Sequence, residues 1–249
     1  MSDDVWFTRL TLAREEPAIA PLIRDLAPAE TGAAMAIGHR LMWSAVPDDV
    51  RWRHDRANPA RNNGSAFLWR EAEPGRKFYL LGPRPVDDSP FFRIETRPYA
   101  PHFAAGDRLT FDLRVNATVA RKGNADGQGR SKRSDIAMDR MLADEAAALA
   151  AGQDIQARAQ RRMQAAESAI GRWLANIGAR DGFALRAARL DAYRVERLPR
   201  RGRNAEIGVF DVRGALEIVD GAMFLRRVLA GFGRAKAFGC GLMLLRRAR

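Results

Sequence analysis

The residues best suited to chemistry form a glycine-rich segment near the end of the chain. Residues 231–241 read Gly-Phe-Gly-Arg-Ala-Lys-Ala-Phe-Gly-Cys-Gly, so four glycines enclose Arg234 and Lys236. Glycine accepts positive φ and lets a ligand approach the backbone, and successive N–H groups beside two cations form a concave anion site. The alternative is a helix C-cap at Gly231 and a tight turn into a strand. Because that alternative explains only one or two of the glycines, the pattern favours phosphate contact.

Other chemistries find less support in the sequence. The glycine segment is not a dinucleotide motif, because Lys236 stands where a third glycine is needed and no strand precedes it. The chain has no Walker loop or Gly-x-Ser-x-Gly elbow, and no His, Cys, Asp and Glu residues have metal-ligand spacing, so we predict neither metal nor cofactor. Cys240 reads as a small buried thiol rather than a nucleophile. Phe232 is the loop aromatic that we expect to be available for stacking on a base.

Among the three histidines, His39 has the most suggestive surroundings. It lies in a predicted helix between Met35 and Met42, next to Arg40. A partly buried imidazole beside a cation can serve as a general acid or base near neutral pH. A semi-buried histidine with satisfied hydrogen bonds is the alternative, and spacing alone favours it.

Charge is distributed unevenly along the 249 residues. The formal net charge is +12, yet residues 1–100 carry 14 basic and 14 acidic side chains, so the whole excess lies in residues 101–249. A basic half joined to a neutral half indicates a polyanion binder. Nearly all the cations are arginine, which suits RNA, although base composition of the genome is an equal explanation of that ratio.

The compartment follows from what the sequence lacks. There is one cysteine, no apolar segment follows the acidic start of the chain, and no apolar run approaches the ~18 residues of a membrane span. These features predict a soluble cytoplasmic protein with no membrane contact.

The elements that must position these residues repeat one pattern twice. Each half reads β-α-β-β-α-β, with a very short second helix near Asp87 in the first half. This order predicts an α+β fold of two tandem ferredoxin-like (RRM/RAMP-like) domains, residues 1–100 and 101–249. The predicted strands are Val5–Ala13, Ser65–Arg70, Arg76–Leu81, Phe91–Arg97, Arg108–Val119, Phe183–Leu198, Ala205–Val219 and a final strand after the glycine segment. The predicted helices are Gly32–Val46, two segments between Ile136 and Gly178, and one capped by Asp220 that ends at Ala230, with a hydrophilic loop at Arg121–Arg133.

Three motifs resemble those of a known family. Residues 39–48, beginning His-Arg-Leu-Met-Trp, are similar to its His-x-x-Leu/Met-Trp-x-x-Phe-Pro block. Residues 113–118, Leu-Arg-Val-Asn-Ala-Thr, are close to its Leu-Arg-Ala-Asn-Pro-Thr, with Ala117 in place of proline. Residues 231–241 resemble its Gly-Ile-Gly-x-x-Lys-Ala/Ser-x-Gly-Cys-Gly. Their order and spacing resemble the repeat-processing endoribonucleases of type I-E CRISPR systems, the CasE family of the RAMP superfamily, over essentially the whole chain.

This resemblance implies a function and a set of site residues. It implies metal-independent cleavage of a hairpin repeat in precursor CRISPR RNA, with attack by the 2′-hydroxyl, a 2′,3′-cyclic phosphate product, and retention of the product as a subunit of the Cascade surveillance complex. His39 matches the family's catalytic histidine, while Ala36 stands where some members have a tyrosine, which leaves Ser44 or Arg40 to assist. With the charge pattern, the resemblance gives the predicted RNA-binding residues, which are Arg40, Arg114, Asn116, Lys132, Arg133, Arg200, Arg201, Gly231, Gly233, Arg234, Lys236, Gly239 and Gly241.

Two other functions remain open from the sequence. A non-catalytic RNA-binding scaffold of two ferredoxin-like domains would have the same basic half and glycine segment, with His39 as a packing residue. A nucleotide enzyme that uses the glycine segment for a phosphate would need a dinucleotide or P-loop context, which the sequence lacks. Incubation with hairpin RNA in chelator distinguishes the first of these from a nuclease.

Overall fold

The computed structural model describes residues 5–13, 38–50, 66–121, 132–150, 158–198 and 205–248. Within the hairpin that contains Lys132 and Arg133, only the backbone of those two residues is described. Parts of the predicted helix Gly32–Val46, strand Ser65–Arg70 and loop Arg121–Arg133 lie outside the described residues, as do residues 51–64, 151–157 and 199–204. Arg200, Arg201 and Ala36 fall in them.

The first sheet belongs to the N-terminal half. Its strands are β1 (Trp6–Leu12), β2 (Leu68–Glu73), β3 (Lys77–Gly82) and β4 (Phe92–Pro98). They are antiparallel and lie in the order β2-β3-β1-β4, so β3 and β1 are central. Pro74 and Gly75 form a type II turn between β2 and β3, because Gly75 has φ 58° and the Arg76 N–H donates to the Glu73 carbonyl at 3.0 Å.

The second sheet repeats this arrangement with longer strands. Its strands are β5 (Arg108–Val115), β8 (Phe183–Leu198), β9 (Ala205–Ile218) and β10 (Met243–Arg247), and a separate hairpin consists of β6 (Thr118–Arg121) and β7 (Lys132–Asp135). The sheet is antiparallel with the order β10-β5-β9-β8, which places β5 and β9 at the centre as β1 and β3 lie in the first sheet. Each sheet therefore has the strand order of a ferredoxin-like domain, and the predicted tandem α+β fold is confirmed.

The helices cover the sheets on one side. Residues 38–43 are helical and form the described part of α1, which ends three residues before the predicted Val46. The other helices are α2 (Ile136–Ala150), α3 (Arg158–Asp181) and α4 (Gly221–Ala230). Asp220 caps α4 as predicted, since its side chain accepts a hydrogen bond from the Met223 N–H at 2.8 Å.

Five local predictions are wrong. Residues 83–91 contain no helix, and the Ser89 hydroxyl instead accepts hydrogen bonds from the N–H groups of Phe91 and Phe92. The predicted strand 108–119 is interrupted after Val115, and Arg121, Lys132 and Arg133 belong to the β6–β7 hairpin rather than to a loop. Helix α3 continues past Gly178 and ends at Asp181, where Gly182 has a φ of 84°. Gly178 has a packing role instead, since a Cβ there would lie 2.4 Å from the Phe183 carbonyl oxygen. Phe232 is completely buried and packs edge-on against Phe183, so it is not a base-stacking residue.

The cores of the two halves meet at the β2–β3 hairpin. One cluster, with Leu10, Met42 and Leu80, lies between the first sheet and α1. The larger cluster fills the second half, yet it also contains Leu68 and Leu81 of the first sheet. Because burying one leucine side chain contributes about 1.5–3 kcal/mol, these contacts tie the two halves together.

Candidate active site and nucleic-acid interface

His39 lies on α1 among aromatic side chains. The Trp43 indole N–H donates to His39 Nε2 at 3.1 Å, one helical turn away, so the other ring nitrogen, Nδ1, carries the proton of the neutral imidazole. The Phe67 ring lies 6.0 Å from the His39 ring and 4.9 Å from the Trp43 ring. The His39 side chain is half-buried. The ring therefore has a defined orientation, with Nδ1 buried and Nε2 accepting the Trp43 hydrogen bond, so proton transfer to a ligand requires the Trp43 indole to release Nε2 or the ring to turn.

The two predicted assistants of His39 differ in their surroundings. Arg40 is exposed next to it on the helix. The Ser44 hydroxyl donates to the Leu41 carbonyl at 2.7 Å, where it completes the end of α1. Arg40 is thus the better candidate of the two for contact with an anion.

The backbone of the glycine segment turns inward. Its four glycines have φ values between 65° and 93°, and residues 236–238 form a single 3₁₀ turn. The N–H groups of Gly231, Gly239 and Gly241 donate to carbonyls of Arg227, Lys236 and Arg114. These three donors are consequently used inside the protein rather than directed at a ligand.

The segment is also tied to the end of β5. The Arg234 N–H donates to the Asn116 carbonyl at 2.9 Å. Gly233 faces the same carbonyl so closely that a Cβ would lie 2.5 Å from its oxygen. The glycines at these positions allow two stretches of backbone to pack together, a role the sequence alone did not distinguish from ligand approach.

The two cations of the segment have different environments. The Arg234 side chain is exposed, so its guanidinium is available to a phosphate. The Lys236 ammonium donates to the Ala230 carbonyl at the end of α4, where a cation stabilises the helix dipole. Burial, followed by the positive charge of Arg227, lowers the pKa of Lys236. Lys236 is thus a helix-capping residue in addition to a candidate phosphate ligand.

These environments predict separate effects for two substitutions. Lys236→Ala should lower the free energy of unfolding by roughly 1.5 kcal/mol, because it removes a charged hydrogen bond, and lower Tm by about 3–6 °C. Arg234→Ala should leave Tm unchanged but weaken RNA binding and flatten its dependence on salt by about 0.7–1 in log–log slope. Melting curves and RNA titrations at several salt concentrations measure both, with Arg76→Ala, in an exposed turn, as the control. Unchanged RNA affinity of Arg234→Ala would exclude it as a phosphate ligand.

Arg114 and Asn116 are both engaged by other residues of the protein. Arg114 makes a forked ion pair with Asp211, with contacts of 2.7 and 3.2 Å. Burial opposes the ionisation of Asp211, but the hydrogen bonds from Arg114 and Arg194 outweigh it and hold the pKa of this carboxyl below its ordinary value. Asn116, a predicted RNA-binding residue, is 5% exposed, and its amide donates to the Gly208 carbonyl at 2.7 Å, so its side chain is used inside the fold.

Exposed arginines of β8 and β9 are interleaved with carboxylates. Arg186 pairs with Glu217 at 3.1 Å and Arg197 with Glu206 at 3.2 Å. Asp191 lies between two further arginines, Arg189 and Arg213. Exposed pairs of this kind contribute at most about 1 kcal/mol each, so an RNA phosphate can displace these carboxylates at low cost.

Cys240 is confirmed as a buried thiol. It is fully inaccessible, and burial raises its pKa to about 12 against the opposing effect of Arg114. A thiol in this state is a poor nucleophile at neutral pH. Within the described ranges, no group of three acidic, histidine or cysteine side chains could hold a metal ion, and none of the helices traced there is long and apolar enough to span a membrane.

The residue that joins α1 to the glycine segment is not among the predicted site residues. Trp69, on β2, is 2% exposed, and its indole N–H donates to the Ala237 carbonyl at 3.2 Å. A signal was present in the continuous apolar run 66–69, since a strand buried on both faces lacks the usual alternation. Arg70 follows it and pairs with Asp112 at 2.6 Å.

Two antiparallel sheets with the ferredoxin-like strand order, a histidine on the first helix and a glycine segment before the last strand together form the tandem α+β fold that the sequence motifs predicted. A family model described as CRISPR associated protein matches residues 5–247. The chain therefore belongs to the CRISPR associated protein family.

Solved structures agree with this fold. The chain is similar to the CRISPR endoribonuclease Cse3 bound to a 19-nucleotide RNA, with 21% identity, a TM-score of 0.61, and coverage of 97% of this chain and 99% of that one. It is similar to Cas6e from Escherichia coli K-12, with 18% identity, a TM-score of 0.55, and coverage of 98% and 100%. A chain of a CRISPR RNA-guided surveillance complex gives 16% identity, a TM-score of 0.54, and coverage of 98% and 100%. No curated protein matches the chain.

Proposed function

We propose that the chain is a metal-independent endoribonuclease that cleaves the hairpin repeats of precursor CRISPR RNA. The observation that carries the proposal is His39, an imidazole on α1 that Trp43 orients, at the position of the family's catalytic histidine. The similarity to CRISPR endoribonuclease Cse3 bound to RNA supports it. The similarity to a chain of a surveillance complex supports the further proposal that the protein keeps its product as a Cascade subunit.

The proposed reaction is an internal transesterification. The 2′-oxygen gives its proton to a base and attacks the adjacent phosphorus, while the P–O5′ bond breaks and the leaving 5′-oxygen takes a proton from an acid. The products are a 2′,3′-cyclic phosphate and a 5′-hydroxyl. His39 performs one of the two proton transfers, a contribution typically of about 10²- to 10⁴-fold. We assign to Arg40, the exposed cation that follows His39 on α1, the stabilisation of charge on the phosphate as it develops.

The RNA surface proposed for the chain lies mainly in the C-terminal half. An A-form stem offers phosphates and 2′-hydroxyls rather than a readable major groove, and the charge excess of residues 101–249 suits such a ligand. The proposed contacts are Arg234 and four cations predicted from the sequence, Lys132, Arg133, Arg200 and Arg201. Gly231, Gly239 and Gly241 act on RNA by shaping the backbone rather than through their N–H groups.

A cleavage assay tests the activity. Purified protein and a hairpin repeat RNA in excess EDTA should give one cut, with a cyclic phosphate on the upstream fragment and a free 5′-hydroxyl on the downstream one. Mass spectrometry of the fragments identifies both ends. Tight binding with no cut, with or without Mg²⁺, would favour the RNA-binding scaffold instead, and a cut that requires Mg²⁺ would contradict the mechanism.

A further inference from the structure

Trp69 lies between the helix that carries His39 and the glycine segment. A Cβ added to Gly38 would lie 2.5 Å from Cη2 of its ring, so α1 rests directly on the indole. A Cβ added to Gly239, in the glycine segment, would lie 3.2 Å from the same atom. The two glycines allow a helix of the N-terminal half and a loop of the C-terminal half to approach the same ring.

A hydrogen bond fixes the ring to the loop. The indole N–H donates to the Ala237 carbonyl at 3.2 Å, in the 3₁₀ turn at the centre of the glycine segment. A buried indole N–H without an acceptor costs about 1–3 kcal/mol, so this bond selects one position of the ring relative to the loop.

The loop is itself held from the far side. The Gly241 N–H donates to the Arg114 carbonyl at 2.7 Å, and the Arg234 N–H donates to the Asn116 carbonyl. The residues before and after Trp69 add contacts between the halves: Leu68 lies 2.7 Å from a Cβ added to Gly231, and Arg70 pairs with Asp112. The first sheet fixes the backbone of Trp69 through its pairing with Leu80, and the C-terminal half fixes its ring through the Ala237 carbonyl.

His39 is the residue next to Gly38, so it inherits the position of α1. Its ring lies 6.0 Å from that of Phe67, which is two residues before Trp69 on the chain. A shift of the indole would move Gly38 and the His39 backbone with it, since closely packed interiors transmit small displacements.

We propose that Trp69 is a positioning residue for His39, through which the glycine segment of the C-terminal half sets the place of the imidazole. The glycine motif then serves the reaction by holding the histidine helix, in addition to any contact with RNA. The inference rests on the proposed function in one respect, that His39 acts in cleavage. A displacement of about 1 Å in a reacting group can lower a rate about 100-fold.

Two variants approach the contact from opposite sides. Trp69→Phe keeps a buried ring but removes the N–H donor and part of the surface beneath Gly38. Gly239→Ala adds a methyl group against the indole at a residue with φ 75°. Trp6→Phe, a tryptophan of the same sheet, is the control for the first, and Gly106→Ala, with φ 87° and nothing within 4 Å, is the control for the second.

The first measurement needs no RNA. Imidazole NMR signals of the three histidines are recorded in each folded variant, and His39→Ala assigns the signal of interest. Both test variants should move the His39 signals and leave those of His102 in place, whereas both controls should move neither. Unmoved His39 signals in folded Trp69→Phe and Gly239→Ala would overturn the proposal, including when one variant fails to fold and the other is unmoved.

The second measurement separates positioning from binding. At saturating protein, the single-turnover cleavage rate should fall about 10- to 100-fold in both test variants. Affinity for a hairpin carrying a 2′-deoxy nucleotide at the cut should not change. Equal losses of rate and affinity would mean that the loop acts through RNA contact, which overturns the positioning role. If the wild type does not cleave but the His39 signals move as expected, the structural coupling stands and the proposed function fails.

Discussion

Replacing His39 with alanine is expected to lower the rate of hairpin cleavage by about 10²- to 10⁴-fold, the usual contribution of general acid–base catalysis. The half-buried imidazole is held by Trp43 and is not part of the first core cluster, so its removal deletes the proposed proton-transfer group while the core residues remain. Affinity for a 2′-deoxy hairpin should be unchanged, since Arg234 and the other cations remain. Single-turnover rates at saturating protein, with a titration of the non-cleavable RNA, measure the two quantities separately.

His102→Ala is the matched control for this variant. His102 is exposed in the segment that joins the two halves, and its loss should alter neither rate nor affinity. Wild-type cleavage by His39→Ala would show that the imidazole is a packing residue. A parallel loss of rate and affinity would instead place His39 in binding.

A chemically altered substrate distinguishes the two proton transfers. When sulfur replaces the bridging 5′-oxygen at the cut, the leaving group departs without a proton. If His39 is the general acid, His39→Ala should cleave this substrate at nearly the wild-type rate. A full defect on the sulfur substrate would assign the imidazole to the 2′-hydroxyl as base.

The architecture was predictable because it depends on periodicity and turn chemistry. Alternation along Phe183–Leu198 and Ala205–Val219 and the Pro74-Gly75 turn gave strands within a few residues of those observed. The errors come from tertiary contacts. The sequence predicts one strand through Asn116, but in the fold the Asn116 amide donates to the Gly208 carbonyl, 92 residues away. Nothing in the local sequence marks the end of β5 at Val115.

The site was predictable only in part. Spacing alone could not separate a catalytic His39 from a packing one, and the choice came from a resemblance. Likewise the glycine segment has the composition of an anion site, but its N–H groups point at carbonyls of the protein. The acceptor of the Gly241 N–H is Arg114, which is distant along the chain, and the acceptor of the Gly231 N–H is Arg227, one helical turn before it. Trp69 contributes through the elements that contact its ring, and such a contact has no signature in a single sequence.

Gly233→Val should be the most destabilising substitution in the glycine segment. Gly233 has φ 65°, which a β-branched residue adopts only with strain, and its Cβ would lie 2.5 Å from the Asn116 carbonyl oxygen and 2.6 Å from Val115 Cγ2. Strain and overpacking each cost about 1–3 kcal/mol. We expect the free energy of unfolding to fall by roughly 3–5 kcal/mol, and Tm by about 10 °C or more.

Gly106→Val separates the two causes. Gly106 has φ 87°, but nothing lies within 4 Å of its Cβ position, so only the backbone strain of about 1–3 kcal/mol applies there. The difference in Tm between the two variants therefore measures how rigidly the loop is packed against the end of β5. Because the same loop holds Trp69, rigid packing also predicts that folded Gly233→Val loses cleavage more than affinity for the 2′-deoxy hairpin. Equal Tm losses at Gly106 and Gly233 would mean that the loop yields to the added side chain, and a loop that yields could not fix the position of α1.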